Sequence, residues 1–185
     1  MAELRITGGE FRGRRLYVPK TGIRPTTGRV REAIFSLLGD IAGAHVVDLF
    51  CGSGALGIEA ISRGAEAATF VDKKTGAVMR NLEELGITEK RIGWQVVRDD
   101  VLNFLESRAI FESRRRYDLV FCDPPYRLAA TVATGLDVTI PGVVKKGARL
   151  VVETSTRSPL SLSYELLKER EYGDTLVRIY EAPSV

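Results

Sequence analysis

The sequence predicts an α/β fold: a mostly parallel sheet of seven strands with helices on both faces, its last strand antiparallel, preceded by a small N-terminal hairpin and helix. Three observations carry this expectation. Nearly continuous apolar runs recur at 46–50, 67–71, 92–97, 117–122 and 148–152, the pattern of strands buried on both faces. Helical patterns fill the gaps at 55–63, 74–86, 100–110 and 127–138, and this alternation implies right-handed crossovers in a parallel sheet. Finally, strand patterns at 164–170 and 175–180 flank Tyr172-Gly173-Asp174, a turn short enough to pair them antiparallel.

Before the first long run, Leu4 to Ile6 and Arg14 to Val18 read as short strands around Gly8, Gly9 and Gly13, a hairpin. Pro25-Thr26-Thr27 offers a stop and a hydroxyl cap for a helix in which Val30, Ala33, Ile34, Leu37 and Leu38 share one face. Arg29, Arg31 and Glu32 are expected on its other, solvent-facing side. The chain thus divides into a hairpin and helix at 1–40 and a main domain at 41–185.

With 185 residues, 44% hydrophobic and 28% charged, the chain has the length and composition of one globular catalytic domain with a small appendage. It has no apolar run long enough to span a bilayer, and the charged residues Glu3, Arg5, Glu10, Arg12, Arg14 and Arg15 leave no room for a secretory signal, so a cytoplasmic protein is expected. Cys51 and Cys122 stand 71 residues apart with one histidine in the chain, which suggests neither a disulfide framework nor a metal site.

Charge is distributed unevenly. Residues 1–31 hold eight basic side chains against Glu3 and Glu10, a balance of +6, which leaves −3 for the remainder. A basic arm on a slightly acidic body is the electrostatic footprint of a nucleic-acid binder, because phosphate neutralisation supplies affinity independent of sequence. Plain solvated surface is the alternative. The expected RNA contacts are Arg5, Arg12, Arg14, Arg15, Arg24 and Arg29.

Ligands of such sheets sit beyond the carboxyl ends of the strands. The segment Asp48-Leu49-Phe50-Cys51-Gly52-Ser53-Gly54-Ala55-Leu56-Gly57 runs from a strand end through a glycine turn into a helix, where missing Cβ atoms let the backbone approach a ligand. The same letters suit a dinucleotide. Asp48 helps separate the two readings, since its carboxylate suits a cationic amino-acid group and would repel a pyrophosphate. Asp72, 20 residues after Gly52, is placed to accept from a ribose diol. Asp100, with Val101 beside it, is placed to accept from an adenine amine, to cap a helix, or both. The expected cofactor cradle is Asp48, Phe50, Gly52, Ser53, Gly54, Asp72, Lys73, Asp100 and Val101.

The second motif, Asp123-Pro124-Pro125-Tyr126, follows a buried strand 75 residues after Asp48. An aromatic amine on a base is a poor nucleophile because its lone pair is delocalised, so its reaction needs acceptors that hold its protons and aim its nitrogen. Asp123 supplies one acceptor and the Pro124 carbonyl another, the prolines fix the backbone, and Tyr126 can stack on an extruded base.

On these residues the chain resembles the class I, Rossmann-like methyltransferases, and within them the RsmD family of 16S ribosomal RNA guanine-N2 methyltransferases. The resemblance covers Arg5 through Leu16, Arg24 through Glu32, Asp48 through Gly57, Ser62-Arg63-Gly64-Ala65, Asp123 through Tyr126 and Tyr172 through Thr175. The glycine loop and Asp-Pro-Pro-Tyr are shared with many amino-methyltransferases, DNA adenine-N6 enzymes among them, whereas the N-terminal blocks are particular to this family. The resemblance implies S-adenosylmethionine as cofactor, S-adenosylhomocysteine as product, no metal, and methyl transfer to the exocyclic N2 of a guanine in 16S ribosomal RNA, within a small subunit or assembly intermediate, by a monomer. It also implies Asp123 and Tyr126 as the catalytic pair, in a catalytic loop with Pro124 and Pro125. Gly28 stands where the family often has an acidic residue, and Cys51 where a small residue such as alanine is common.

Other noticeable residues take plainer readings: His45 as a strand-edge histidine, Arg114-Arg115-Arg116 as solvated surface at the end opposite the active face, Trp94 as packing. The rival functions are a DNA adenine-N6 methyltransferase, a nicotinamide-dependent oxidoreductase, for which Asp-Pro-Pro-Tyr has no use, and a non-catalytic RNA-binding module.

Overall fold

A computed structural model describes residues 4–19, 27–89, 92–107, 116–125 and 129–183. The hairpin is β1 (Leu4–Arg5) and β2 (Arg15–Leu16), followed by α1 (Gly28–Leu38). The alternating body runs β3 (His45–Leu49), α2 (Ala55–Ser62), β4 (Ala67–Asp72), α3 (Gly76–Leu85), β5 (Gly93–Arg98), α4 (Val101–Glu106), β6 (Tyr117–Cys122) and α5 (Ala129–Thr139). A 3-10 turn at Ile140–Gly142 then leads into β7 (Val144–Ser155), β8 (Glu165–Tyr172) and β9 (Thr175–Glu181).

Among the described residues the main sheet has seven strands in the order β5-β4-β3-β6-β7-β9-β8. The first five are parallel, and β9 inserts antiparallel between β7 and β8. The order reverses between β3, paired on one side to β4, and β6, paired on the other; the crevice at their carboxyl ends is the switch point where such sheets hold ligands.

Alternation of side chains across the sheet builds two cores. On one face, Val47, Leu49, Val71, Val120, Cys122, Leu150 and Val152 pack with Val101, Phe104 and Leu105 of α4 and Leu136 of α5. On the other, Val46, Phe121, Val151 and Ile179 meet Val30, Ile34, Phe35 and Leu38 of α1. The hairpin lies outside that layer, with Leu4, Ile6, Phe11 and Leu16 packed on Ile58 and Ile61 of α2 and Val78 and Leu82 of α3.

Start and stop signals behave as their chemistry dictates. The Thr27 hydroxyl accepts from the Val30 amide at 3.3 Å and begins α1; Pro25 and Thr26 lie outside the described residues. Strand β7 begins four residues before the expected 148, because exposed Lys145, Lys146 and Gly147 interrupt the apolar run while the backbone continues through a register shift opposite Tyr117 and Leu119. Edge strand β8 is exposed and charged along Lys168-Glu169-Arg170-Glu171, a composition that discourages further strand addition.

The expectation for Arg31 is overturned. Its side chain is fully buried, its guanidinium donates to the Arg5 carbonyl, and its Nε stands 3.8 Å from Glu59. Glu59, also fully buried in the middle of α2, accepts from the Thr7 amide at 2.8 Å, the Thr7 hydroxyl at 2.7 Å, the Gly8 amide at 2.8 Å and Arg63 Nε at 2.9 Å. Burial pulls the Arg31 pKa down against the raising effect of Glu59 and Glu153, so the cation depends on these carboxylates. One buried ion cluster thereby fastens the hairpin, α1 and α2 together. Arg116, expected on solvated surface, is half-buried, since it leads directly into the buried strand at Tyr117; Arg114 and Arg115 lie outside the described residues. His45 is a strand-edge residue 3.6 Å from Glu66, and Trp94 packs half-buried with its ring N–H donating to the Ile87 carbonyl at 3.2 Å.

Candidate active site

The glycine loop leaves β3 at Phe50, whose φ of 60° is the left-handed conformation that residues with a side chain seldom adopt. Its ring packs against the core, and the following turn is closed by the Cys51 amide on the Val71 carbonyl at 3.1 Å and the Gly54 amide on the Cys51 carbonyl at 2.7 Å. Gly54 has φ 77°, and a Cβ there would stand 2.5 Å from Val78. At Gly57 a Cβ would stand 2.3 Å from the Phe70 ring, so this glycine lets α2 lie close on the sheet. Cys51 is buried and burial pushes its thiol pKa up, in keeping with a packing role.

Asp48 lies beneath this loop, 2% exposed, with one carboxylate oxygen accepting the Gly57 amide at 2.8 Å. Burial pushes its pKa up to about 7, opposed by the Gly57 bond and aided by the negative charge of Asp72. A cationic group brought to the loop would favour the ionised form.

Asp72, ending the neighbouring strand β4, accepts from the Gly52 amide at 2.9 Å and the Lys74 amide at 2.9 Å. Lys73 reaches Asp100 at 2.8 Å, and Asp100 caps α4 by accepting from the Leu102 amide at 2.9 Å. The Lys73 hydrogen bond and charge hold the Asp100 carboxyl below its ordinary pKa. The cap reading of Asp100 is therefore correct, and the residue stands just beyond the carboxyl end of β5. Val101 is buried in the core with Val71 and Phe104.

Asp123 follows β6 half-buried, Pro124 is buried and Pro125 exposed. Because Leu49 of β3 and Cys122 of β6 are direct partners in the sheet, the glycine loop and the Asp-Pro-Pro segment leave the sheet side by side. Tyr126 and Arg24 lie outside the described residues. The hairpin of the basic arm lies on α2 and α3, where Arg5, Arg12, Arg14 and Arg15 are exposed, with Arg5 donating to the Gly13 carbonyl at 2.9 Å and Arg14 to the Glu84 carbonyl at 3.0 Å; Arg29 is exposed on α1. A separate cleft of about 670 Å³ opens at the amino ends of the strands, lined by His45, Thr69, Trp94 and Tyr117, away from both motifs.

Sequence reasoning missed two buried polar residues near the loop. Asn81 on α3 is fully buried; it donates to the Ser53 carbonyl at 2.8 Å and the Tyr17 carbonyl at 3.0 Å, and accepts from the Tyr17 amide at 2.7 Å. Glu59 is the other. Each had a signal: Asn81 shares the stripe of Ala77, Val78, Leu82 and Leu85, and Glu59 interrupts the apolar run Leu56 to Ile61 of α2.

A doubly wound sheet with a glycine loop on β3, carboxylates at the tips of β4 and β5, and Asp-Pro-Pro after β6 defines a class I methyltransferase. A protein-family model described as "Conserved hypothetical protein 95" matches residues 4–181. The chain is 34% identical over 184 residues to ribosomal RNA small subunit methyltransferase D of Escherichia coli (strain K12), covering 97% of this chain and 90% of that one. The Haemophilus influenzae protein of the same name is 34% identical over 186 residues, covering 97% and 94%. Among solved structures, a putative methyltransferase from Escherichia coli superimposes with a TM-score of 0.80 at 32% identity over the full length of both chains. The chain belongs to this family, the RsmD family of methyltransferases.

Proposed function

We propose that this chain transfers a methyl group from S-adenosylmethionine to the exocyclic N2 amine of a guanine in 16S ribosomal RNA, acting as a monomer on a small ribosomal subunit or its assembly intermediate. The observation that carries the reading is the juxtaposition of Asp123 and Pro124 with the glycine loop at the ends of paired strands β6 and β3. The names of the two bacterial relatives support the substrate class.

The residues present fit the cofactor. A turn with an exposed Gly52 at its tip leaves room for close approach, Asp48 offers a buried carboxyl to a cationic amino-acid group, and Asp72 and Asp100 offer acceptors for a ribose and an adenine amine. When bound, S-adenosylmethionine supplies an electrophilic methyl on a sulfonium. Asp123 accepts one amine hydrogen of the base and the Pro124 carbonyl the other, which orients the nitrogen's electron pair; the proton released after transfer passes to Asp123 or to water. Tyr126 stacks on the base drawn into this loop, and the arm, with Arg5, Arg12, Arg14, Arg15, Arg24 and Arg29, neutralises RNA phosphates.

Tritium transfer from labelled cofactor, offered small ribosomal subunits and duplex DNA in parallel, tests the reading. Label on the subunits alone is expected; label on DNA adenine alone would replace the substrate with DNA.

A further inference from the structure

Asn81 on α3 is hydrogen-bonded to both the basic arm and the cofactor loop, which also share a buried apolar cluster through Cys51. Asn81 is fully buried and uses both of its amide hydrogens and its oxygen: one hydrogen on Ser53, in the turn between Gly52 and Gly54, the other and the oxygen on the two backbone groups of Tyr17, where the hairpin ends. Around it, α3 holds the same stretch of arm at two further points. The Arg80 guanidinium lies 4.1 Å over the Tyr17 ring, and Arg14 donates to the Glu84 carbonyl. One turn earlier, Val78 fills the space beside Gly54. Helix α3 thus contacts both the arm and the cofactor turn, with Asn81 bonded to both.

Displacing Asn81 leaves two carbonyls and an amide without their protein partner. Fixing Ser53 therefore fixes the Tyr17 backbone, and fixing the arm against RNA fixes Ser53 in return.

We infer that Asn81 is a positioning residue that links the two binding events, so that cofactor and RNA each tighten the binding of the other. The inference rests on the proposed RNA methyltransferase reading and adds to it a residue and a cooperativity. Linkage requires that the two enhancements be equal, because both measure one free energy.

The test measures RNA affinity with and without saturating S-adenosylhomocysteine by filter binding, and S-adenosylhomocysteine affinity with and without RNA by calorimetry. In the unaltered chain each ligand improves the other on the order of tenfold, by the same factor. Asn81→Leu removes all three bonds, and Asn81→Asp sets a carboxylate oxygen against the Ser53 and Tyr17 carbonyls; in both the factor falls to one. Ile179→Val, which loosens the core under β9 far from α3, keeps the original factor and so separates linkage from lost stability. A factor of one in the unaltered chain, or an undiminished factor in both Asn81 variants, overturns the inference. Should the unaltered chain bind S-adenosylhomocysteine but no RNA, the substrate reading fails on its own, and hydrogen exchange decides the linkage. Slower exchange of the Tyr17 amide on adding S-adenosylhomocysteine, absent in the Asn81 variants, upholds it; no slowing rejects it.

Discussion

The Asp48 carboxylate accepts the Gly57 amide at 2.8 Å, joining the end of β3 to the first turn of α2 beneath the glycine loop. With its pKa raised to about 7, Asp48 holds a proton in the folded chain that it has lost in the unfolded one between about pH 4 and 7. Stability of the ligand-free protein therefore falls as pH rises through that window and levels off above it, by about 1–4 kcal/mol for this group. Urea unfolding of the unaltered chain and Asp48→Asn at pH 5 and pH 8 checks the sign: the variant lacks this part of the slope. Cofactor affinity moves the other way, rising toward pH 8 as the ionised carboxylate becomes available to a cationic group; a flat profile would remove Asp48 from cofactor binding.

Asp123→Ala lowers the single-turnover rate of methyl transfer by about 10²–10⁴-fold, as expected for loss of a group that orients and deprotonates the reacting amine. S-adenosylhomocysteine affinity stays unchanged, because Asp123 follows β6 whereas the proposed cradle is built at the ends of β3, β4 and β5. Equal turnover by the variant would defeat the proposed mechanism.

Replacing Arg12, Arg14 and Arg15 together by glutamine weakens RNA binding and flattens its dependence on salt, by about 0.7–0.9 in the log–log slope for each phosphate no longer neutralised. Binding isotherms across a salt series read this directly. An unaltered slope would return the arm to the status of solvated surface.

Glu59→Gln leaves Arg31 buried beside a neutral group and weakens the bonds to Thr7, Gly8 and Arg63, so it destabilises the fold by about 3–5 kcal/mol. Adding Arg31→Met to the same chain recovers part of the loss, since the buried cation that has lost the Glu59 charge is gone. Chemical denaturation of the single and double variants tests this; a double variant no more stable than the single would deny Arg31 its dependence on Glu59.

What the sequence disclosed and what it hid follow from the range of the interactions. Strands buried on both faces leave long apolar runs, and β3, β4, β5 and β6 fell within a residue or two of expectation. The glycine turn, Thr27 and Asp100 are local devices whose partners lie within a few residues, so they were legible too. Arg31 was not: on a helical wheel it borders the polar face, and its burial depends on Glu59, 28 residues further on. Asn81 is the same case, a polar residue on an apolar stripe whose partners Tyr17 and Ser53 come from distant segments. A polar residue on a buried face announces a partner without naming it.

The central claim is methyl transfer to a ribosomal guanine, and nucleoside analysis reaches it most directly. Small subunits from cells lacking this enzyme, incubated with the purified chain and labelled S-adenosylmethionine, are digested and their nucleosides separated. Label recovered as N2-methylguanosine is the predicted result. No label on ribosomal RNA, or label on a nucleoside other than N2-methylguanosine, would contradict it.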